Sequence, residues 1–267
     1  MKKKILLTGA TDGIGLATAK MLLQQGHYLL LHGRNSRKLE EVTNVLTSEI
    51  AGAEIETYIA DFSDLSDVQK LANSITKKHT NLDVLINNAG VFKTPDAITK
   101  DGLDVRFVVN TLAPYLLTTK LLPLLSNSGR VVNLSSAAQA SVNIEALKGH
   151  TQLDDMGAYS QSKLAITMWS RVMAEKLKDG PMVVAVNPGS LLASKMVTEG
   201  FGVAGSDINI GADILNRAAL SDEFENASGK YFDNDSKQFA PPHQDALDQQ
   251  KCVEVVKAIE CMLAKLV

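Results

Sequence analysis

The sequence lacks the features that mark disulfide-rich, membrane-spanning and nucleic-acid-binding proteins. Its 267 residues include two cysteines, Cys252 and Cys261, which are too few for a disulfide scaffold and have no partners at metal-ligand spacing. No stretch of 18 consecutive apolar residues occurs, so we expect no membrane span and no membrane partner. The formal net charge is -3 and the one basic run is Lys2–Lys4, so we expect no nucleic-acid partner. These absences predict a cytoplasmic protein without a metal site.

The composition and the order of the apolar segments predict one α/β domain over residues 1–267. Hydrophobic residues make up 45% and charged residues 21%, the balance of a packed globular protein. Six short apolar segments alternate with stretches of helical periodicity: Ile5–Leu7, Tyr28–Leu31, Glu54–Ile59, Val84–Ile86, Arg130–Leu134 and Val183–Val186. Continuous apolar runs are typical of strands buried on both faces, so we expect a doubly wound parallel sheet with helices on both faces. Two irregular segments, 139–156 and 190–209, are candidates for substrate-facing elements.

A glycine-rich stretch follows the first predicted strand and precedes the first predicted helix. The glycines in Thr8–Gly15 permit a tight turn and close approach of the backbone to a pyrophosphate at the helix N-terminus. Their spacing, G-x-x-x-G-x-G, differs from the G-x-G-x-x-G dinucleotide fingerprint. On spacing alone, a glycine-rich turn without a ligand stays an alternative.

The second predicted strand ends without the carboxylate that usually binds the ribose 2′-hydroxyl of NAD. No Asp or Glu occurs between Gly15 and Glu40, whereas Arg34, Arg37 and Lys38 follow this strand. Guanidinium groups suit a 2′-phosphate, so the sequence predicts a preference for NADP(H). The alternative is a solvated basic start of a helix.

Tyr159 and Lys163 lie four residues apart, so on a helix they would share one face. A neighbouring ammonium favours the phenolate and would lower the pKa of the tyrosine, which could then exchange a proton with a substrate oxygen. Ser135 and Ser136 follow a predicted strand, where a hydroxyl could donate to an oxygen that gains charge. The alternatives are a core tyrosine beside a lysine whose stem is buried, and serines that cap a strand end.

Taken together and in order, these motifs resemble those of the short-chain dehydrogenase/reductase family. The glycine loop is similar to the family's T-G-x-x-x-G-x-G motif, and Asn87–Gly90, Tyr159-x-x-x-Lys163 and the Pro188-Gly189 pair resemble further family motifs. The resemblance covers nearly the whole chain and implies a single-domain Rossmann-type fold. The segments 87–125 and 228–232 resemble the retinol-dehydrogenase-like branch.

The resemblance implies roles for four catalytic residues. Tyr159 would be the general acid/base, and Lys163 would bind the nicotinamide ribose and lower the pKa of Tyr159. Ser136, rather than Ser135, would orient the substrate oxygen. Asn110 would hold a helix kink and a water of the proton relay.

The resemblance also implies a series of cofactor contacts along the chain. They include the glycine loop, a basic residue after the second strand, an adenine-contacting pair and the turn beside the nicotinamide: Gly9, Thr11, Asp12, Gly13, Ile14, Gly15, Arg34, Asp61, Phe62, Asn88, Ala89, Gly90, Tyr159, Lys163, Pro188 and Gly189. One departure is Ala193, where a family Thr often contacts the carboxamide. Ser194, one residue later, could substitute for it.

These observations predict an NADP(H)-dependent oxidoreductase that interconverts a carbonyl and an alcohol by hydride transfer. A non-catalytic NADP(H)-binding redox sensor is the main alternative, but all four catalytic residues are present. An epimerase or dehydratase on the same fold would usually need a larger substrate domain.

Seven apolar residues could line a site for a small apolar substrate or could be ordinary packing: Phe92, Val142, Met156, Leu191, Leu192, Met196 and Phe201. The apolar spacing in 252–267 predicts an amphipathic helix that covers the core or a partner subunit. Members of the family are often oligomeric, but the 139–156 segment could obstruct one of the usual interfaces, which leaves monomer and homodimer both open.

Overall fold

The computed structural model describes residues 1–267, except for the side chain of Phe201. Its centre is an eight-stranded sheet of order β3-β2-β1-β4-β5-β6-β7-β8. The strands are β1 Lys4–Leu7, β2 Tyr28–Gly33, β3 Glu54–Ile59, β4 Leu82–Asn87, β5 Leu125–Leu134, β6 Met182–Asn187, β7 Tyr231–Asp233 and β8 Gln238–Phe239. All six predicted strands form, and β1 to β7 are parallel.

The prediction of a purely parallel sheet is incomplete at one edge. β8 pairs with β7 in an antiparallel hairpin, in which Phe232 pairs with Phe239. β7 and β8 have only three and two residues, too few for a periodic apolar signal. The turn between them includes Lys237 with a φ of 57°, a left-handed conformation that is uncommon outside glycine.

Helices cover both faces of the sheet. They are α1 Gly13–Gln24, α2 Ser36–Glu49, α3 Leu65–Lys78, α4 Val105–Phe107, α5 Ala113–Leu121, α6 Ile144–Leu147, α7 Asp155–Lys176, α8 Lys195–Phe201, α9 Asn209–Leu220 and α10 Gln249–Leu266. Ile5 and Leu7 of β1 face a core formed with α1, α2 and α9. Leu6 faces the opposite core, formed with α3, α5, α7 and α10. Alternate side chains of one strand therefore enter two cores, as in a doubly wound fold.

The chain order places a crevice at the carboxyl ends of β1 and β4. The connections from β1 through β2 and β3 run to one side, and β4 then pairs with the opposite side of β1. Ligands of open α/β sheets bind where the strand order reverses in this way. The glycine loop follows β1 and Asn88 follows β4, so both lie at this point.

The helical run Val105–Leu124 has the length and mean hydropathy, 1.2, of a membrane span, but 72% of the tested window is buried inside the protein. The run is not an uninterrupted apolar stretch of 18 residues, because polar residues such as Arg106 and Asn110 lie within it. The sequence pattern alone therefore did not reveal it. A central helix of a layered fold has the same length and hydropathy. The run is therefore weak evidence for a span.

The two segments predicted to be irregular each contain a short helix. The 139–156 segment includes α6, whose first turn is capped by Asn143. The 190–209 segment includes α8, capped by Ser194. The predicted C-terminal helix forms as α10, which buries Cys252, Val255 and Ile259 in the core shared with α7.

Candidate active site

Tyr159 and Lys163 project from the first half of α7, which begins after Asp154. The Asp154 carboxylate accepts a hydrogen bond from the Gly157 N–H, which fixes the start of this helix. The Lys163 Nζ lies 5.7 Å from the centroid of the Tyr159 ring. It also donates a 2.8 Å hydrogen bond to the Leu134 carbonyl at the end of β5. The lysine therefore links the catalytic helix to the strand that precedes the paired serines.

The structure distinguishes the two serines that the motif alone left open. Ser135 is buried, and its hydroxyl donates to the Lys163 carbonyl at 2.9 Å and lies 2.7 Å from the Thr167 hydroxyl. Ser136 is half-buried, and its side chain hydrogen-bonds that of Tyr159. Ser135 thus joins β5 to α7, and Ser136 is the serine beside the tyrosine.

Burial opposes the charged forms of both Tyr159 and Lys163. It raises the pKa of the Tyr159 phenol, while the hydrogen bond with Ser136 acts in the opposite direction. It lowers the pKa of Lys163 to about 8. The pKa of Tyr159 is raised overall because desolvation of the phenolate outweighs the hydrogen bond with Ser136. The lowering of this pKa by Lys163 stays a prediction. At neutral pH the phenol is protonated and is set up to donate a proton.

Asn110 lies in a π-helical turn, Val108–Leu112, between α4 and α5. Such turns occur frequently at functional sites. The Asn110 Oδ1 accepts from the Val91 N–H at 2.9 Å, and its Nδ2 donates to the Val91 carbonyl and the Ser162 hydroxyl, each at 3.0 Å. A Cβ on Gly90 would lie 3.3 Å from Asn110 Oδ1 and 3.5 Å from Lys163 Nζ. The expected helix irregularity is therefore present, and Gly90 packs against both side chains.

The glycine loop is held closely against the end of β4. The Thr8 hydroxyl accepts hydrogen bonds from the Asn88 and Ala89 N–H groups, each at 3.0 Å. The Asn88 amide donates to the carbonyls of Thr8 and Gly9 at 2.8 and 3.0 Å. A Cβ on Gly15 would lie 2.1 Å from the Gly9 carbonyl oxygen, and Gly9 has a φ of 65°. Side chains are excluded at both glycines because the neighbouring backbone is too close. The loop therefore turns tightly into the N-terminus of α1, which gives a backbone cradle of the kind that binds a pyrophosphate.

Other predicted loop residues contribute to the walls of this cradle. The Thr11 methyl group packs against Gly33, where a Cβ would lie 2.6 Å away. The Ile14 side chain packs against Gly211 of α9. The Asp12 carboxylate accepts from the Gly13 N–H at 2.8 Å and from the Lys38 ammonium at 2.5 Å.

The basic residues after β2 differ in their partners. Arg34 is exposed at the end of the strand. Arg37 pairs with Glu41 along α2 at 3.0 Å, and Lys38 reaches across to the Asp12 carboxylate. Lys38 therefore contacts the glycine loop, whereas Arg37 interacts along its own helix.

The predicted adenine-contacting pair has two different environments. The Asp61 Oδ1 accepts hydrogen bonds from the Ser63 N–H at 2.9 Å and hydroxyl at 2.8 Å. Phe62 is only 4% exposed, and its ring stacks on His32 with a centroid distance of 4.3 Å. The sequence prediction overlooked His32, because a lone histidine in an apolar strand carries no motif.

The predicted nicotinamide turn is braced from the β7–β8 hairpin. Gly189 has a φ of 117°, and its N–H donates to the Asn187 side chain at 3.2 Å. The Asn234 amide donates to the Pro188 carbonyl at 2.9 Å, and the Asp235 carboxylate accepts from the Ser190 N–H at 2.8 Å. The sequence prediction missed both hairpin residues, because they are more than 40 residues from the turn and no motif connects them.

Ser194 lies next to the glycine loop but has a structural contact of its own. Its hydroxyl accepts from the Val197 N–H at 3.3 Å as the N-cap of α8. Its Cβ is 3.5 Å from the position that a Cβ on Gly13 would take. Ser194 is thus near the cofactor cradle, and its carboxamide contact stays a prediction.

Some of the predicted apolar lining residues lie beside the tyrosine. The ring of Phe92 is 5.1 Å from that of Tyr159, and a Cβ on Gly200 of α8 would lie 2.7 Å from the Phe92 ring. Leu192 is buried against Gly189, whereas Met156 and Leu191 are exposed. Val142 packs on the core, and Met196 is half-buried. The predicted contact of Phe201 falls on a side chain outside the described part of the structure.

Arg106 is a further residue that the motifs did not reveal. It is 1% exposed, and its guanidinium contacts both oxygens of Asp104 at 2.8 and 2.6 Å and also the carboxylate of Asp155. Asp155 is the first residue of α7, four residues before Tyr159. The ion cluster therefore ties the helix of Asn110 to the start of the catalytic helix.

Comparisons with known proteins agree with this geometry. A sequence profile of the short chain dehydrogenase family matches residues 3–202. Mouse retinol dehydrogenase 13 is 31% identical over 251 residues, which cover 86% of this chain and 75% of that protein. Human polyprenol dehydrogenase is 34% identical over 195 residues, which cover 69% of this chain and 59% of that protein.

Solved structures share the fold across most of the chain. An uncharacterised protein from Mycobacterium paratuberculosis superposes with a TM-score of 0.81 at 26% identity, covering 97% of this chain and 92% of that one. A short chain dehydrogenase from Escherichia coli CFT073, solved with NADPH, has a TM-score of 0.68 at 28% identity. That match covers 87% of this chain and 96% of the other.

Proposed function

Since the chain belongs to the short-chain dehydrogenase family, we propose that it is an NADP(H)-dependent oxidoreductase that interconverts an apolar carbonyl compound and its alcohol. The observation that carries the proposal is a chain of contacts between four side chains. Ser136 hydrogen-bonds Tyr159, Lys163 Nζ lies 5.7 Å from the centroid of the Tyr159 ring, and Gly90 lies against Lys163 and Asn110. The glycine loop turns tightly between β1 and the N-terminus of α1, where Cβ atoms on Gly9 and Gly15 would clash with the backbone. A glycine turn at this position is the one that binds a pyrophosphate in dinucleotide folds, so the residues present fit a nicotinamide dinucleotide.

Each side chain has a task that follows from its position. Bound NADP(H) supplies the hydride to the substrate carbon or accepts it. The Ser136 hydroxyl orients the substrate oxygen, and the Tyr159 phenol, protonated at neutral pH, donates a proton to that oxygen during reduction. The Lys163 ammonium is one helical turn from Tyr159 and stabilises the phenolate that remains. Asn110, bonded to Ser162 on the same helix, supports the return of a proton through water.

The preference for NADP(H) rests on charge at the adenine end. Arg34 and Lys38 are exposed beside the glycine loop, and no carboxylate lies between Gly15 and Glu40 to bind a ribose 2′-hydroxyl. A guanidinium suits the geometry of a phosphate. The E. coli short chain dehydrogenase that shares this fold was solved with NADPH, which supports the same preference.

The substrate class follows from the apolar surroundings of the tyrosine. Phe92 packs on Tyr159, and α8 packs on Phe92. The retinol and polyprenol dehydrogenases among the relatives are named for apolar alcohols. We therefore propose that aldehydes and ketones with an extended hydrocarbon portion are preferred over charged carbonyl compounds.

The test follows NADPH oxidation by absorbance against a panel of apolar and charged aldehydes and ketones. Turnover of the apolar members with NADPH is the expected result. Binding of NADPH without turnover of any panel member would contradict the oxidoreductase proposal and favour a redox sensor. Turnover restricted to charged carbonyl compounds would contradict the proposed substrate class.

A further inference from the structure

His32 is a buried imidazole that the proposed mechanism does not use. It is the fifth residue of β2, between β1 and β3 in the sheet, and is 3% exposed. Its ring contacts the two segments that follow the carboxyl ends of β1 and β3. The Gly9 N–H lies 3.3 Å from Nδ1, the Ala60 carbonyl lies 2.9 Å from Nε2, and the Phe62 ring stacks on the imidazole.

The partners of His32 define which nitrogen carries the proton. The Ala60 carbonyl only accepts, so Nε2 must donate, and the Gly9 N–H only donates, so Nδ1 must accept. Burial lowers the pKa of His32 to about 4 despite the nearby Asp61 carboxylate, so the ring is neutral at physiological pH. Both ring nitrogens are thus satisfied by backbone groups of different strands.

The backbone of His32 also binds the glycine loop. Its carbonyl accepts from the Ala10 N–H at 2.9 Å, so ring and backbone together hold two successive residues of the glycine loop. Gly9 has a φ of 65° and lies against Ala89, which allows the loop little freedom on its other side. Ala60 and Phe62 flank Asp61, the residue expected to contact adenine.

We propose that His32 is a positioning residue that sets the adenine half of the dinucleotide site, by holding the glycine loop at a fixed distance from the end of β3. This rests on the proposed dinucleotide function, but it concerns a residue that touches neither the substrate nor the nicotinamide end. All the contacts given above are with residues 9, 10, 60 and 62. Loss of His32 should therefore weaken the binding of the adenine portion and spare the chemical step.

The test measures the affinity for ADP in wild type, His32→Leu and His32→Gln by calorimetry. ADP carries the adenine, ribose and pyrophosphate but neither the 2′-phosphate nor the nicotinamide, so its binding depends on neither NADP preference nor turnover. Loss of both hydrogen bonds should raise the Kd for ADP about tenfold or more in His32→Leu, because the loop would occupy its binding conformation less often. His32→Gln has one donor and one acceptor and should recover part of this loss.

His27 offers a matched control at the opposite end of the same strand. It is 9% exposed and its Nδ1 also accepts a backbone N–H, that of Lys3 at 3.1 Å. His27→Leu should reduce stability but leave the Kd for ADP unchanged. Turnover of the His32 variants at saturating cofactor should stay within about twofold of wild type, because the Tyr159 end is untouched.

Three outcomes would overturn the proposal. The first is an ADP affinity that is equal in wild type and both His32 variants. The second is equal weakening in His27→Leu, which would indicate a general loss of stability. The third is a fall in turnover at saturating cofactor that parallels the loss of ADP affinity. A wild-type protein that binds ADP but reduces no carbonyl compound would contradict the proposed function and leave the result on His32 valid.

Discussion

Lys163 holds the catalytic helix against the end of β5: its Nζ donates to the Leu134 carbonyl at 2.8 Å while lying 5.7 Å from the centroid of the Tyr159 ring. The peptide that follows Leu134 leads directly to Ser135 and Ser136. The Ser135 hydroxyl donates to the Lys163 carbonyl, which makes a second hydrogen bond between the end of β5 and α7. The serine that faces Tyr159 is therefore positioned by the same contacts that position the tyrosine.

The first prediction concerns the pH dependence of carbonyl reduction. Burial lowers the pKa of Lys163 to about 8, so the side chain is charged below that pH and loses its proton above it. The pH dependence of kcat/KM reflects the pKa values of essential groups in the free enzyme. The kcat/KM for NADPH should therefore fall as pH rises above about 8. Lys163→Arg cannot lose its charge in this range and should remove the fall. A wild-type profile that stays flat to pH 9.5 would count against a role for the ammonium.

The second prediction concerns Arg106. Its removal in Arg106→Met would leave the carboxylate of Asp104, whose side chain is 11% exposed, without its partner, whereas that of Asp155 is 48% exposed and can be solvated. We therefore expect a loss of about 3 kcal/mol, the lower end of the cost of breaking a buried pair. Arg217 is a matched control, because it makes a bidentate pair with Glu223 but is 34% exposed. Arg217→Met should cost less than about 1 kcal/mol. Urea denaturation measures both free energies of unfolding, and equal small losses would mean that the Arg106 cluster does not hold the helices together.

The third prediction concerns the choice of cofactor. A hydrogen bond to a charged group contributes about 1.5–3 kcal/mol, so Arg34→Ala should lower the kcat/KM for NADPH about tenfold or more and leave that for NADH nearly unchanged. Arg37→Ala is the control, because this guanidinium pairs with Glu41 along α2. Steady-state kinetics with both cofactors provide the comparison. If the ratio of kcat/KM for NADPH to kcat/KM for NADH is the same in Arg34→Ala and wild type, Arg34 is excluded as the contact of the 2′-phosphate.

The fourth prediction concerns stability in acid. The pKa of His32 is lowered to about 4 in the folded protein from 6.5, so the unfolded chain binds more protons between these values. The contribution of His32 to stability is therefore complete above pH 6.5 and is lost as pH falls towards 4. Between pH 7 and 4.5 wild type should lose about 2–3 kcal/mol more than His32→Gln, since one pKa unit is about 1.4 kcal/mol. Burial also lowers the pKa values of His27 and His79. Their contributions cancel when the free energy of unfolding of His32→Gln is subtracted from that of wild type at each pH. Identical pH dependence of the two proteins would contradict the neutral buried ring.

The features that the sequence predicted correctly are those set by local chemistry. Continuous apolar runs such as Val183–Val186 are typical of strands buried on both faces, and the glycines around Gly13 favour a turn between strand and helix. The four-residue spacing of Tyr159 and Lys163 is sufficient to place them on one face of α7. In each case the residues that determine the local structure lie within a few positions of one another in the sequence.

The features that the sequence could not predict depend on contacts between distant segments. β8 is two residues long, and its antiparallel pairing is set by the hairpin rather than by periodicity. Asn234 reaches Pro188 only because β7 lies beside β6. The raised pKa of Tyr159 follows from burial by the folded chain, which a motif does not encode. The hydrogen-bond partners of His32 lie just after β1 and β3, and no spacing in the sequence indicates these contacts.

In the mechanism that we propose, Tyr159 supplies the proton for carbonyl reduction, and the rate of NADPH oxidation by Tyr159→Phe measures its contribution. General acid catalysis contributes about 10²- to 10⁴-fold, so kcat should fall by that factor while the Kd for NADPH stays within about twofold of wild type. Tyr115→Phe is the control, because this buried tyrosine donates to Glu260 of α10, away from the site, and should retain wild-type turnover. Turnover by Tyr159→Phe at the wild-type rate would contradict the account.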